Sequence, residues 1–203
     1  MRVVAHNGAP VFGGAERATI ALLAGLQRRG HRVQLFCNAR VVAARAAAAG
    51  VPVARLRLGG DAVLTDAFRF ARALRRLRPD AVLLGTFRKL WLGALGARLA
   101  RAPRVVVRVG LSTDVPRSWK YRVALRWVDV VVLNAEAMRA AFLCRAPGLD
   151  PGRVVTIHNG VVPPARPADP HALRRAAGVP EGARVVGAVA RLVSQKRLDR
   201  LVR

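Results

Sequence analysis

Cysteine is scarce in these 203 residues, occurring only at Cys37 and Cys144. The two lie far apart, and neither has a second Cys or a His at metal-ligand spacing. A disulfide framework and a locally assembled zinc site are therefore not expected, and buried free thiols are. The histidines, His6, His31, His158 and His171, are equally scattered. No uninterrupted apolar run is long enough to span a bilayer, because the alanine-rich stretch 39–49 is broken by Arg40 and Arg45. The opening residues MRVVAHNG read as a strand and a turn, without the charged, apolar and small regions of a signal peptide. A cytosolic location is expected. Acidic residues are few, 11 against 36 Lys+Arg, which leaves a net charge of +25. Lysine occurs only at 89, 120 and 196, so the excess is arginine. Compositional bias toward Ala and Arg accounts for much of it. The functional alternative is an anionic partner, either nucleic acid or an acidic membrane surface. Aromatics make up only 5% of the chain, and no nucleic-acid motif accompanies them, so a specific nucleic-acid partner is not expected.

What is present is a repeated alternation of short apolar runs and helical patterns, in a chain that is 53% hydrophobic. Strands are expected at Val3–His6, Arg32–Cys37, Pro52–Leu58, Asp80–Leu84, Arg104–Val109, Val128–Leu133 and Arg153–Ile157. Helices are expected between them: Gly14–Arg29, 39–49, about Asp61–Leu77, Lys89–Ala100, Ser118–Trp127 and Ala135–Leu143. Continuous apolar strands in β-α units predict an α/β fold, a Rossmann-like parallel sheet with helices on both faces. The stretch Gly160–Pro170, GVVPPARPADP, is proline-rich and reads as a linker. Residues 1–165 are expected to form one domain. Residues 166–203 are expected to hold a linker, a short helix from about His171 and the first β-α unit of a second, incomplete domain, with a strand at Val185–Ala190 followed by a helix.

Two loops carry the candidate chemistry. HNGAPVFGGAER, residues 6–17, places Gly8, Gly13 and Gly14 just before a helix, where glycine permits close backbone approach. It is not the G-x-G-x-x-G fingerprint, so a dinucleotide is a poor fit. RVVGAVARLVSQKRLDRLVR, residues 184–203, delivers Arg191 and Lys196 from the end of an apolar run to a predicted helix start. Two cations at such a place make a site for a diphosphate, although an ordinary surface crossover has the same pattern.

Taken in order, GGAER, VDVVVLNAEAMRAAF (128–142), VVTIHNGV (154–161) and ARLVSQKRLDRLV (190–202) resemble retaining glycosyltransferases of family 4, which have the GT-B fold. The resemblance implies a two-domain enzyme of which this chain is the N-terminal portion: an acceptor-side domain and the start of a nucleotide-sugar-binding one. It implies transfer of a sugar from a nucleotide-sugar, as substrate and not cofactor, to a glycan or lipid-linked acceptor. Arg191 and Lys196 fall on the donor-diphosphate positions, with Ala190 and Arg197 standing where the family often has glycine. Gly13 and Gly14 belong to the glycine-rich loop near donor and acceptor. Asn159 and Gly160 form a turn pair at the interdomain hinge, where a purely structural role and contact with a ligand are both open readings. Asn134 is expected to cap a helix. The family often has a histidine after the fifth strand. Here RVGLSTD stands instead, leaving Arg108, Ser112 and Asp114 on the acceptor side and no catalytic group assigned. No Asp-x-Asp occurs, so no metal is expected, and leaving-group charge would fall to Arg191, Lys196 and helix N–H groups. The paired glutamates of the family are not in the sequence. A C-terminal half in trans is an expected partner, and the chain alone is expected to be inactive. A non-catalytic basic module for a polyanion is the competing reading.

One further cluster stands apart. Arg117, Trp119, Lys120, Tyr121, Arg122, Arg126 and Trp127 crowd one short helix, and the helix at 61–77 sets Arg69, Arg72, Arg75 and Arg76 beside Phe68 and Phe70. Such faces suit an acidic membrane surface, expected here through Arg117, Trp119, Lys120 and Arg122, and hence a peripheral location at the inner face of the membrane. A core-facing aromatic stripe with a solvated basic face would give the same pattern.

Overall fold

The computed structural model describes residues 1–59, 64–85, 89–110, 118–161, 163, 169, 171–180, 182–190, 192–193 and 196–201. Two compact units divide the chain, Met1–Gly160 and Val161–Arg203.

In the first unit seven strands alternate with helices: β1 (Arg2–Asn7), α1 (Gly14–Arg28), β2 (Arg32–Cys37), α2 (Arg40–Ala48), β3 (Val53–Arg55), α3 (Leu64–Leu77), β4 (Ala81–Leu84), α4 (Leu90–Leu99), β5 (Val105–Val109), α5 (Trp119–Arg126), β6 (Val130–Leu133), a 3-10 turn at Glu136–Met138 running into α6 (Arg139–Arg145), and β7 (Val154–Thr156). They form one sheet in the order β3-β2-β1-β4-β5-β6-β7. Every pairing is parallel, with Val3 opposite Val33, Val4 opposite Val82 and Val107 opposite Val131. The Rossmann-like α/β fold expected from the alternation is thus what the chain adopts.

A parallel sheet needs both faces covered, because its strands are apolar on both. One face packs Ile20 and Leu23 of α1 with Val42 and Ala46 of α2. The other packs Phe70 of α3, Leu90 and Leu92 of α4, Tyr121 and Leu125 of α5, and Phe142 of α6. Phe70 and Phe142 are fully buried, each worth on the order of 2–3 kcal/mol of burial. Helix α4 lies close in because two glycines face its neighbours. A Cβ on Gly93 would meet Leu84 Cδ2 at 2.8 Å, and one on Gly96 would meet Phe70 Cδ1 at 2.9 Å and the Ala67 carbonyl at 3.0 Å.

The second unit has the short helix expected near His171 but not the strand and longer helix expected after it. Its described helix is α7 (Ala172–Ala176). The strand expected at Val185–Ala190 makes no ladder, and Val186 and Val189 are 80% and 106% exposed. The helix expected after Lys196 is one 3-10 turn, Leu198–Arg200. No described strand of a second sheet lies beside 185–190, so the valines have neither hydrogen-bonding partners nor apolar surface to bury against.

Candidate functional site

Strand order reverses beside β1, which lies between β2 and β4. In a doubly wound sheet, this reversal opens a crevice at the strand carboxyl ends, the usual ligand position. On that side of the sheet lie the ends of β1, β4 and β5 and the segment after β7, joined by hydrogen bonds.

β1 ends in two buried polar residues, His6 and Asn7. Asn7 Oδ1 accepts from the Ala9 amide at 2.9 Å, turning the chain, and its Nδ2 donates to Glu16 Oε1 at 3.4 Å. Glu16, also buried, accepts from the Gly13 amide through Oε2 at 2.9 Å. Gly13 is the N-cap residue of α1, with φ −149° and ψ −161°. Having no side chain, it supplies only the backbone half of a capping box. A carboxylate in the first helical turn also complements the positive end of the helix dipole. Gly14 opens the helix, and a Cβ there would meet nothing within 4 Å. Packing within the described residues therefore does not require glycine at this position. Gly85, just after β4, donates its amide to the His6 carbonyl at 2.9 Å. A Cβ there would lie 3.3 Å from that carbonyl and 3.6 Å from Asn7 Nδ2.

Arg108 joins the remaining strands. From β5 its Nη1 donates to the Ala15 carbonyl in the first turn of α1 at 3.4 Å, and its Nη2 donates to Asn159 Oδ1 at 2.5 Å. Burial pushes the guanidinium below its ordinary pKa, and the nearby Glu16 carboxylate opposes the shift. Thr19 Oγ1 donates to the same Ala15 carbonyl at 2.9 Å. Asn159 is therefore more than a turn residue, because its side chain ties the segment after β7 to β5 and, through Arg108, to α1. Gly160 follows it and closes the first unit.

The structure thus brings Gly13, Gly14, Arg108 and Asn159 to one crevice. Ser112, Asp114, Arg117 and Arg191 lie outside the described residues. Lys196 belongs to the second unit, where its amide donates to the Val193 carbonyl at 2.9 Å. Arg197, at a position where the family pattern often has glycine, has φ 47° and ψ 38°. That left-handed conformation costs a non-glycine residue roughly 1–2 kcal/mol. Asn134 does not cap a helix as expected. Ala135 takes the N-cap place before the 3-10 turn at 136–138, and Asn134 Oδ1 is buried without a hydrogen-bond partner among the described residues.

Sequence reasoning passed over Asn7, Glu16 and His6. For Glu16 a signal existed, since an acid three residues after Gly13 has capping-box spacing. His6 Nε2 lies 3.3 Å from the Leu56 carbonyl, and its ring meets Phe70 edge-on at 5.6 Å. Burial is the main force lowering its pKa to about 4, with Lys89 adding to it; the Leu56 and Asn38 hydrogen bonds oppose it. His6 is thus a neutral core residue behind the crevice. Among the described residues no three His, Cys, Asp or Glu side chains converge as a metal site.

A parallel, doubly wound sheet with polar side chains at its reversal defines a Rossmann-like α/β protein. The model of Glycosyltransferase Family 4 matches residues 12–163, more than half of the chain, and the chain belongs to that family. No curated protein matches it. Among solved structures it is similar to a glycosyltransferase from Rickettsia africae ESF-5, with TM-score 0.72 and 17% identity over 89% of this chain and 50% of that one. It is also similar to Alr3699/HepE from Anabaena in complex with UDP-glucose, with TM-score 0.65 and 18% identity over 88% and 50%. The apo lipopolysaccharide outer core galactosyltransferase WaaB gives TM-score 0.61 and 11% identity over 82% and 50%. The chain spans about half the length of these structures.

Proposed function

We propose that this chain is the acceptor-side part of a glycosyltransferase that moves a sugar from a nucleotide-sugar to an acceptor, with retention at the anomeric carbon. The acceptor is a lipid-linked or cell-envelope glycan. The observation that supports this best is the Arg108 tie. It gathers the first turn of α1, the end of β5 and Asn159 around one crevice at the sheet reversal, in a chain of Glycosyltransferase Family 4. That an Anabaena relative of the same fold was solved with UDP-glucose supports a nucleotide-sugar donor.

Gly13 and Gly14 let substrate approach the start of α1. Arg108, Ser112 and Asp114 serve the acceptor side. Asn159 and Gly160 form the hinge to the donor side, where Arg191 and Lys196 hold the diphosphate and meet leaving-group charge without a metal. Donor contacts beyond these come from a C-terminal half, fused or in trans. The location is cytoplasmic and peripheral, at the inner face of the membrane.

Sugar transfer from a panel of nucleotide-sugars tests this, with the 203-residue chain alone and with a C-terminal half supplied. Transfer should require both parts and persist in chelator. Arg191→Ala and Lys196→Ala should each lower kcat/KM by the equivalent of roughly 2–4 kcal/mol. Transfer by the chain alone, loss in chelator restored by magnesium, or near-normal turnover in both variants would each remove part of this reading.

A further inference from the structure

Away from the crevice, α5 borders a cavity of about 470 Å³ whose other wall is the connection from α6 into β7. That connection enters β7 from the amino edge of the sheet, opposite the strand ends that line the crevice. Trp119, Arg122 and Arg126 recur at intervals of three and four residues and so share one stripe of α5. On the opposite side Tyr121 and Ala124 are buried in the core, and Leu125, also buried, lies at the cavity's inner edge. Trp119 therefore does not belong to a core-facing aromatic stripe, being 63% exposed. Trp91 and Trp127, by contrast, pack against the core.

The cavity pairs an apolar wall, which includes Leu149, with Arg122, Arg126 and Arg153. Among the described residues none of the three forms an ion pair with a carboxylate. Arg153 is held in place by donating to the Val128 carbonyl at 3.3 Å. The one acid on the wall, Asp150, has its carboxylate accepting from the Gly152 amide at 2.8 Å. Three cations against one acid leave the cavity positive. An indole projecting from the same stripe is the side chain that settles at the headgroup level of a bilayer. Uncompensated guanidinium groups beside it suit a phosphate ester, where Arg makes bidentate contacts.

We infer that the α5 stripe and the adjoining cavity dock on an anionic phospholipid bilayer, with Trp119 entering the interface and Arg122, Arg126 and Arg153 receiving a lipid phosphate. This rests on the peripheral location proposed above and adds the contact that makes it. It does not depend on sugar transfer.

Co-sedimentation of the full chain with vesicles tests it, comparing phosphatidylcholine alone with the same lipid carrying about 30% phosphatidylglycerol, at physiological salt. The chain should partition onto the acidic vesicles, with a blue shift of indole emission that Trp119→Ala abolishes. Arg122→Glu with Arg126→Glu should lower partition at least about tenfold. Because the whole chain is strongly basic, Arg28→Glu with Arg29→Glu, at the end of α1 on the other sheet face, is the matched control and should lower it far less. Circular dichroism of each variant reports folding. Equal loss in both double variants would mean that bulk charge alone binds, and would overturn the site. Undiminished partition in the α5 variants would keep the peripheral location and remove this site from it. Protection of Trp119 from a soluble quencher by glycerol phosphate as fully as by vesicles would overturn the bilayer and leave a soluble phosphate ester as the ligand.

Discussion

Val105–Val109 and Val185–Ala190 read alike in the sequence: both are short, valine-rich and preceded by an arginine. Their structures are opposite. In β5, Val105, Val107 and Val109 are at most 3% exposed, and the strand is paired on both sides. In the second unit Val185, Val186 and Val189 are at least 51% exposed, and no ladder forms. Strand propensity is chiefly a measure of fit to a pleated, half-buried surface. β5 has that surface, supplied by β4, β6 and two helix layers, and 185–190 does not. The ordering entropy of a strand, roughly 1–2 kcal/mol per residue for the backbone, is offset only where neighbours exist.

The sharpest way to sharpen this contrast is to remove a neighbour in the first unit. Phe70 is fully buried and touches both the His6 ring and the Phe36 ring, the latter edge-on at 6.1 Å. Phe70→Ala should cost about 3–5 kcal/mol in urea unfolding followed by circular dichroism. A loss below about 1 kcal/mol would mean that the layer over α3 and α4 is not packed as described.

The next effect is carried by pH. His6 is held neutral, with its pKa lowered to about 4 from 6.5. Below 6.5 the unfolded chain takes up a proton that the folded chain refuses until pH falls to about 4. Stability is therefore fully present above 6.5 and declines as pH falls through that window. The total is about 3 kcal/mol, at 1.36 kcal/mol per unit. Unfolding midpoints measured from pH 7 to pH 4 should show this slope, and His6→Gln should flatten it. An unchanged slope in the variant would mean that other groups set the acid sensitivity.

The seven strands and their helices were legible because each apolar run and each helical pattern finds its complement within the first unit. Element ends moved by a few residues where the last turn or rung lacks a partner. Pro52–Leu58, for instance, contracts to the three paired residues Val53–Arg55. In the crevice, Gly13 and Gly14 could be placed from their position before a helix. Glu16 could have been placed from its spacing to Gly13. The bond from Arg108 to Asn159 could not, since it links positions 51 residues apart that only the sheet order brings together. Asn134 shows the converse: its sequence position suited a cap, but the chain begins its turn one residue later, at Ala135. For α5, sequence could not separate a core stripe from an exposed one. The structure divides the aromatics, sending Tyr121 inward and Trp119 outward.

The smallest expected effect is the most direct test of the contrast. Val186 and Val189 are the most exposed valines of the 185–190 run, and neither is covered by a described neighbour. A side chain already in water loses no burial when it is made polar, and surface substitutions of this kind fall within about 0.5 kcal/mol. Val186→Ser with Val189→Ser should therefore leave the urea midpoint and its slope unchanged. Hydrogen exchange adds a second reading. Amides of 185–190 should exchange near the rate of an unstructured peptide, whereas those of Val105–Val109 should be protected up to the global stability. A loss of more than about 1 kcal/mol, or protection of 185–190 comparable with β5, would mean that this segment is covered in solution. The difference between the two valine runs would then lie in something other than the presence of neighbours.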